Sequence, residues 1–293
     1  MQRIEEILNQ AFASPENRLG PDHPEPAFDA PLIGVSLAAD PIWRRIKDHI
    51  GDFYWLPHEA FALAYPDAPL PATALRVISW ILPQTGATRG DHRACKQLPS
   101  PRWSLARHYG EKFNEFARRA LVAGLAKAGV RACAPALMPQ WSRQASPDYG
   151  FASTWSERHA AFAAGLGCFG LSDGLITARG KAVRAGSVIA AISVPAAPRP
   201  YGDDHRAYCL FFATGKCLAC AKRCPAGAIS AQGHDKQACH NYIRGVTAPH
   251  VQNDQLGFPV NSCGLCQTGV PCEARIPKNA GTNRGPERKE GDS

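Results

Sequence analysis

Cys217-Leu-Ala-Cys220-Ala-Lys-Arg-Cys224-Pro225 is the stretch on which the interpretation of the chain depends. Its three cysteines follow the pattern C-x₂-C-x₃-C-P, and they lie in a segment that contains eight of the eleven cysteines of the chain. The other five cysteines of this segment are Cys209, Cys239, Cys263, Cys266 and Cys272. Eight thiolates are enough for two metal sites with four cysteine ligands each.

A proline directly after the last cysteine is typical of bacterial ferredoxin motifs, in which that cysteine binds the other cluster of a pair. We therefore predict two [4Fe–4S] clusters. Two structural zinc sites are the alternative, but zinc sites usually pair compact C-x₂-C elements and do not require the x₃ spacing followed by proline. A disulfide framework is less favoured, because the chain is long and shows no secretion signal.

The composition is that of a globular protein with one large domain or two: 293 residues, 45% of them hydrophobic. No apolar run approaches the roughly 18–20 residues of a membrane span, and residues 1–8 resemble a charged helix start rather than an export signal. We expect a cytoplasmic protein without a membrane partner. The formal charge of +8 falls to about +4 once two cysteine-ligated clusters are counted. The basic residues are also scattered along the sequence, so the charge does not favour a nucleic-acid partner.

Apolar periodicity predicts a mixture of helices and strands. Helices are predicted at 2–12, from Asp40 (the N-cap) and Pro41 onward, at 104–128 with Gly129 closing it, and at 156–165 behind a Thr154–Glu157 capping box. Strands are predicted at 32–37, 75–82, 130–135 and 183–192, the second of them as a central strand. Residues 55–70, 84–102 and 137–151 are predicted to be irregular. A domain boundary is placed at 195–200, and 278–293 is predicted to be disordered.

The run Gly165-Leu-Gly167-Cys-Phe-Gly170 has the letters G-x-G-x-x-G, but it follows a helix. A dinucleotide-binding fingerprint follows a strand, so a nicotinamide cofactor is not favoured. One interpretation of the run is a helix C-terminus where backbones approach closely. Cys168 inside it is expected to be a small buried residue.

The stretch Glu157-Arg-His-Ala-Ala-Phe-Ala-Ala-Gly-Leu-Gly-Cys-Phe-Gly, then Leu175-Ile-Thr, Arg184 and the two cysteine motifs, resembles epoxyqueuosine reductase and the related reductive dehalogenases. The resemblance covers about residues 70–275. It implies an α+β (α/β) fold class: a nitroreductase-like α/β domain at 1–200, followed by a ferredoxin-like double [4Fe–4S] domain at 201–277.

The resemblance also implies an oxidoreductase in which the clusters pass single electrons to a corrinoid and then to a substrate that the sequence does not identify. A low-potential electron donor of the ferredoxin or flavodoxin type would be the partner. The implied cobalamin site is a cleft bordered by 153–158, 165–170 and 175–184. Its candidate residues are Ser153, Glu157, Arg158, Gly165, Gly167, Gly170 and Arg184. The alternatives are a corrinoid-free two-cluster electron-transfer protein and a scaffold whose clusters only stabilise the fold.

The sequence departs from the family in its cysteines and in its proton donor. The family's first motif cysteine would fall on Thr214, so we propose Cys209 in its place, and Cys266 and Cys272 stand further apart than the family's usual spacing. Cysteine exchange between paired motifs predicts two ligand sets. They are Cys209, Cys217, Cys220 and Cys272 for one cluster, and Cys224, Cys239, Cys263 and Cys266 for the other. Cys95, Cys133 and Cys168 are left unligated.

The family's proton-donating Asp would fall on Phe151, which cannot donate. Asp148 and Tyr149, in the same predicted loop, are the candidate catalytic residues, because a tyrosine donates a proton where its phenolate is stabilised. An ordinary pair of loop residues is the alternative. His159, His234 and His240 are interpreted as locally hydrogen-bonded residues rather than ligands.

Overall fold

The fold was examined in a computed structural model, which describes residues 1–146 and 149–281. A four-stranded sheet lies at its centre in the order β1-β2-β8-β3, and every pairing in it is antiparallel. Three two-stranded ribbons pair β4 with β5, β6 with β7 and β9 with β10. The mixture of helices and sheet confirms the expected α+β class.

The strands, in chain order, are β1 Leu32–Leu37, β2 Arg76–Pro83, β3 Ala132–Cys133, β4 Arg143–Ser146, β5 Gly150–Ser153, β6 Gly167–Phe169, β7 Leu175–Thr177, β8 Val183–Ala190, β9 Ile229–Ser230 and β10 Gly233–His234. The α-helices are α1 Gln2–Ala13, α2 Ile42–Ile50, α3 Pro57–Ala64, α4 Gly86–Ala94, α5 Pro101–Ala126, α6 Glu157–Ala163, α7 Leu210–Thr214, α8 Ala219–Lys222, α9 Lys236–Tyr242 and α10 Ala248–His250. Two π-helical runs, Ile243–Thr247 and Val251–Leu256, continue α9 and α10.

The central strand β2 is covered on both of its faces, as its nearly continuous apolar sequence predicted. Alternate residues of a strand point to opposite faces. Ile78, Trp80 and Leu82 accordingly enter the core that includes buried side chains of α1 and α5. Val77 and Ile81 enter the other core, which contains buried side chains of α2, α3 and α6.

The predicted helix at 104–128 is present, but it begins earlier, at Pro101. The Ser100 hydroxyl accepts a hydrogen bond from the Trp103 amide and caps the helix. Gly129 follows its end with φ +74°, a conformation that glycine adopts without a steric penalty. The predicted strand at 130–135 is shorter than expected: only Ala132–Cys133 pairs with β8.

Three segments that were predicted to be irregular contain regular structure, and those predictions were wrong. Pro57 occupies the first position of α3, where a proline is compatible with a helix, so the prolines of 55–70 do not prevent one. Thr85 caps α4 by accepting a hydrogen bond from the Thr88 amide. Within 137–151, β4 pairs with β5 in a hairpin.

The predicted capping box at 154–157 does not form. The Thr154 hydroxyl accepts a hydrogen bond from the Ser142 amide, and α6 begins three residues later, at Glu157. The Glu157 carboxylate turns into the protein towards Arg118 and Ser187 instead of back to the helix start. The ion pair between Glu157 and Arg118 therefore replaces the helix cap that the sequence motif predicted.

Apart from the continuous helical stretch from Lys236 to Leu256, the segment from Tyr201 to Gly281 contains short elements, and it has one small apolar cluster. Leu171 and Ile176, from the ribbon region of β6 and β7, join Ile229 and Val270 in that cluster, together with two cysteines. Of the predicted disordered tail at 278–293, residues 282–293 lie outside the described residues. Among the described residues, no helix has both the length and the apolarity of a membrane crossing.

Candidate functional site

A small cavity, partly open to solvent, is lined by four cysteines from separate pieces of chain. They are Cys209, Cys217, Cys220 and Cys272. Cys209 directly precedes α7, Cys220 lies in α8, and Cys272 follows Pro271 much later in the sequence. The structure thus brings together, around one cavity, the four residues that were predicted to form one ligand set.

The other four cysteines of the segment, Cys224, Cys239, Cys263 and Cys266, also lie close to one another. Burial raises the pKa of the Cys263 thiol to about 12, and negative charge on Cys266, Cys239 and Cys224 acts in the same direction. Burial likewise raises the pKa of Cys239 to about 11, with Cys266 and Cys224 again as its charged neighbours. Gly264, with φ +76°, bends the chain between Cys263 and Cys266.

Burial raises the pKa, and so favours the protonated form, of Cys272 in the first set as it does for Cys239 and Cys263 in the second. In the first set, burial raises the pKa of Cys272 to about 11, and charge on Cys209, Cys220 and Cys217 raises it further. A bound metal reverses this preference, since metal ligation requires the thiolate and releases the proton. Once they are deprotonated, the cysteines are soft donors, and their negative charge favours binding of a metal cation.

Across the described ranges 1–146 and 149–281, no three His, Cys, Asp or Glu side chains are arranged to hold a single metal ion. A [4Fe–4S] cluster makes a different demand on its protein, because each of its four thiolates binds a different iron.

Thr214, where the resemblance places a cysteine, does not line the cavity. Its hydroxyl donates to the carbonyl of Leu210 within α7 and accepts from the amide of Lys216. Cys209 lies one turn earlier, at the start of the same helix, and does line the cavity. The geometry therefore offers Cys209, and not Thr214, as the fourth sulfur of the first set.

Lys181 is a buried cation between the two cysteine sets, and sequence reasoning missed it. It lines the cavity of the first set, and its Nζ donates to the Ser172 hydroxyl at 2.9 Å. Ser172 in turn is hydrogen-bonded to the Cys266 sulfur of the second set. Burial lowers the pKa of Lys181, but the negative sulfurs, Cys266 first and Cys272 next, outweigh burial and raise it. The lysine therefore stays charged.

Arg223, inside the C-x₂-C-x₃-C-P run, joins the two parts of the cysteine segment. Its Nε donates to the carbonyl oxygens of Leu265 at 3.3 Å and Thr268 at 3.1 Å, and its Nη1 donates to that of Cys95 at 2.7 Å. These bonds hold the residue next to Cys224 against the turn that carries Cys266. Its position in the sequence, between the motif cysteines Cys220 and Cys224, could have indicated that Arg223 has a structural role.

The three cysteines predicted to be unligated make contacts of other kinds. Cys133 is buried in β3, and burial alone accounts for its raised pKa of about 12. Cys168 is buried in β6 and its sulfur lies 3.5 Å from the Asp204 carbonyl oxygen. The Cys95 sulfur lies 3.6 Å from the Asp91 carbonyl oxygen at the end of α4.

The charged residues that the resemblance implies for a corrinoid are engaged with their own chain. Glu157 binds Arg118 at 3.0 Å and accepts from Ser187, and burial raises the pKa of its carboxyl despite Arg118. Arg184 is paired with Glu111.

Two further polar groups of the implied corrinoid site also make internal contacts. The Arg158 guanidinium donates to the Asp173 carbonyl oxygen. The Ser153 hydroxyl donates to the Trp155 carbonyl oxygen. All four polar side chains of that implied site thus have partners within the protein.

The glycines at 165–170 are required by close contacts within the protein. A methyl group on Gly165, whose φ is +80°, would lie 2.3 Å from the Pro198 carbonyl oxygen. One on Gly167 would lie 2.4 Å from that of Ile176, because β6 pairs with β7 at this point. On Gly170 it would contact the Ile176 side chain at 3.1 Å. The glycine run thus allows close contacts, as predicted, and these contacts are with other residues of this chain.

Of the two proposed proton donors, Asp148 lies outside the described residues. The Tyr149 hydroxyl is hydrogen-bonded to Nε2 of His49, and the Lys236 ammonium lies 4.3 Å from its ring centre. Lys236 begins α9, the helix that carries Cys239, so Tyr149 lies near the second cysteine set.

Of the three histidines that were expected to be locally hydrogen-bonded, His159 has a local hydrogen-bond partner, His234 has a distant one and His240 has an aromatic neighbour. Nδ1 of His159 lies 2.8 Å from the Ser156 hydroxyl, and burial lowers its pKa to about 3. Nδ1 of His234 lies 3.0 Å from the Asp173 carboxylate, and His240 packs against Phe151.

Comparison with known proteins gives distant structural similarities. No protein-family model and no curated protein matches the sequence. Among solved structures, the catabolic reductive dehalogenase NpRdhA in complex with 3-bromo-4-hydroxybenzoic acid is 14% identical with a TM-score of 0.47, over 95% of this chain and 37% of that one. A reductive dehalogenase described in connection with B12-dependent dehalogenation is 14% identical with a TM-score of 0.46, over 85% and 31%.

Selenomethionine-labelled epoxyqueuosine reductase is 16% identical with a TM-score of 0.41, over 86% of this chain and 66% of that one. The proteins found by structure are thus those that the sequence motifs resemble, at a distant level. This chain spans about a third of the length of the two dehalogenases and 66% of the epoxyqueuosine reductase.

Proposed function

We propose that this protein is an oxidoreductase that carries two [4Fe–4S] clusters and passes single electrons through them to a substrate. The observation that carries the proposal is the gathering of eight cysteines into two neighbouring sets of four, one of them around a single cavity. The same observation supports a ferredoxin-like segment at 201–277. The nitroreductase-type α/β domain at 1–200 is proposed from the sequence resemblance.

The donor set fits such clusters. Cysteine thiolates are the usual ligands of [4Fe–4S] clusters, and the clusters supply one-electron transfer when bound. Lys181 supplies buried positive charge between the two sets, and Ser172 supplies a hydrogen bond to a sulfur. Both are means by which a protein adjusts a cluster's reduction potential. The partner would be a low-potential electron donor of the ferredoxin or flavodoxin type.

The corrinoid implied by the resemblance does not fit the residues assigned to it. The polar groups of Glu157, Arg158 and Arg184 are bound within the protein, and Gly165 and Gly167 face this chain's own backbone. We therefore favour the corrinoid-free alternative, a two-cluster redox protein, and route no step through a corrinoid. Cobalamin binding stays a prediction of the sequence resemblance.

Iron and acid-labile sulfide analysis of the anaerobically purified full chain tests the proposal. Two clusters give about eight irons and eight sulfides per chain. The clusters should also bleach on reduction with dithionite and give the EPR signal of a reduced [4Fe–4S] centre. Stoichiometric zinc, or about four irons per chain, would contradict the two-cluster proposal.

Titration of the cluster-loaded protein with cob(II)alamin separates the two redox alternatives. On the favoured alternative, no saturable binding occurs below about 100 μM, a loose bound for a dedicated cofactor site. Saturable binding below that concentration would restore the corrinoid function.

A further inference from the structure

Arg107 lies in a recessed group of four arginines and two carboxylates. Arg107, Glu111 and Arg118 lie along α5, and Arg184 lies on β8. Arg118 is almost completely buried, with 3% of its side chain exposed, and it bridges Glu111 and Glu157. Arg143, on the β4–β5 hairpin, is the fourth arginine, and its charge acts on Arg107.

The carboxylates of Glu111 and Glu157 both accept hydrogen bonds from residues other than Arg107. One Glu111 oxygen accepts from Arg118 at 3.2 Å, and the other accepts from Arg184. Glu157 accepts from Arg118 and from the Ser187 hydroxyl. The nearest carboxylate oxygen to Arg107 is that of Glu111, at 3.8 Å. Within the part of the chain that the structure describes, Arg107 makes no side-chain hydrogen bond.

The group carries an excess of positive charge in a place where water screens it poorly. Four guanidinium groups face two carboxylates. The repulsion of Arg184, with partial burial and the charge of Arg143, lowers the pKa of Arg107 to about 10. Burial works against ionisation of Glu111, but Arg184 and Arg118 outweigh it and lower the pKa of its carboxyl to about 2. With 37% of its side chain exposed, Arg107 remains accessible to a small ligand.

The group adjoins the second cysteine set. One turn before Arg107, the ring of Trp103 packs so closely on Gly264 that a methyl group there would lie 2.4 Å from it. The Ser104 hydroxyl donates to that of Ser262, the residue before Cys263. From the other side, the Arg143 guanidinium lies 5.9 Å from the ring centre of Phe151, which also packs against His240, the residue after Cys239.

We propose that Arg107, together with Arg143, binds an oxyanion, the phosphate or carboxylate group of the substrate that takes electrons from the second cluster, while the neighbouring Arg184 stays paired with Glu111. An oxyanion would satisfy the Arg107 donors with charge-assisted hydrogen bonds and neutralise the excess positive charge. The role of the ligand as the electron-accepting substrate rests on the proposed redox function. That the ligand is an oxyanion rests only on the arginine group.

Isothermal titration calorimetry of the anaerobically purified full chain tests the site, with inorganic phosphate and succinate as separate probes at constant ionic strength set by chloride. We expect at least one probe to bind with a dissociation constant of about 1 mM or lower. Saturation by phosphate alone indicates a phosphorylated substrate, and saturation by succinate alone indicates a carboxylic acid. Arg107→Gln should weaken binding by about tenfold or more, because a charge-assisted donor is removed.

Arg119→Gln is the matched control, since Arg119 is an exposed arginine on the same helix, and it should bind like the unaltered protein. Arg143→Gln, on an exposed hairpin, is the second variant and should also weaken binding. Binding by Arg107→Gln and Arg143→Gln equal to that of the unaltered protein, or no binding of either probe up to about 20 mM, would overturn the inference. Iron analysis of the same samples separates the two proposals: eight irons without anion binding would reject only the anion site.

Discussion

Each cysteine in the two sets has its own structural context, and Cys209 is the most informative. We propose it in place of the motif cysteine that would fall on Thr214; it directly precedes the short helix α7 and lines the cavity. Its substitution therefore tests both the assignment of the first set and the exclusion of Thr214.

Cys209→Ser should reduce the iron content from about eight to about four per chain, because one cluster loses a thiolate while the other keeps all four. Iron analysis and the visible absorbance of anaerobically prepared protein measure this directly. Cys95→Ser and Thr214→Ala are the controls, and both should keep the full content. Retention of both clusters by Cys209→Ser would remove this residue from the ligand set.

Lys181→Met should lower the midpoint potentials of the clusters. A buried positive charge stabilises the reduced, more negative form of a cluster, so its loss favours oxidation. A charge about 8 Å away in a medium of effective dielectric constant about 20 contributes roughly 2 kcal/mol, or on the order of 90 mV for one electron.

Redox titration followed by EPR measures the shift. Lys222→Met, which removes an exposed lysine of the same segment, should shift the potentials much less because solvent screens its charge. Equal shifts in the two variants would show that Lys181 has no special influence.

At the scale of elements, β7 and the turn into β8 connect the cysteine segment to the sheet. The amides of Lys181 and Ala182 donate to the carbonyl oxygens of Cys272 and Glu273, so the end of the cysteine segment pairs with this turn. Gly180, with φ +79°, makes the approach possible, since a methyl group on it would lie 2.3 Å from the Glu273 carbonyl oxygen.

Gly180→Ala should destabilise the protein and weaken the cluster bound by Cys272, because the added methyl group collides with backbone that has no room to move. Chemical unfolding and iron content are the measurements. Gly90→Ala is the control: Gly90 lies exposed within α4 with open space around its Cβ position. There the substitution should increase stability, by up to about 1 kcal/mol. A Gly180→Ala protein with unchanged stability and iron content would contradict this role.

The sequence predicted elements best where a repeated apolar pattern and a local signal agreed. The strand at 75–82 was identified because its sequence is nearly continuously apolar and is ended by Pro83, and the helix at 104–128 because its apolar period is sustained. The α3 and α4 helices were missed, since Pro57 and the polar residues of 86–94 look like those of a loop until tertiary contacts are known.

The candidate site shows the same division. Cysteine spacing grouped Cys217 and Cys220 with Cys209 and Cys272, which line one cavity in the structure, while the assignment of these residues as cluster ligands stays a prediction. Lys181 and Arg107 were not predicted, since their importance comes from neighbours distant in sequence: sulfurs in one case, and other arginines in the other. The prediction of a capping box at Glu157 was wrong because its carboxylate pairs with Arg118, which lies on a different helix and is distant in sequence.

At the scale of the whole molecule, the two parts of the chain differ in what holds them together. The sheet carries a large core on each of its two faces. The cysteine segment has one small apolar cluster, in which Cys209 and Cys220 are themselves members. If the proposed clusters are bound, the segment should depend on them, since metal binding supplies folding free energy that a small core does not.

Removal of the clusters with ferricyanide and EDTA should therefore make residues 201–281 sensitive to protease while 1–200 stays resistant. Limited trypsin digestion followed by mass spectrometry measures this, and cluster-loaded protein treated with the same amount of trypsin is the control. Cleavage that begins equally in both parts of the cluster-free chain would show that the segment does not depend on its clusters.

The cavity wall that joins Cys209 and Cys220 to Cys272 has a consequence for how the protein is made. A ribosome releases the chain from its N-terminus onward, so Cys209, Cys217 and Cys220 emerge well before the residue that completes their set. During that interval the nascent chain exposes three thiols with an unfinished wall, next to Cys224, which belongs with partners that emerge later still. On the proposed function, a complete first set exists only after the segment through Cys272 has been synthesised, so its cluster would have to be inserted after that point, and oxygen reaching the growing chain earlier would meet unprotected sulfur.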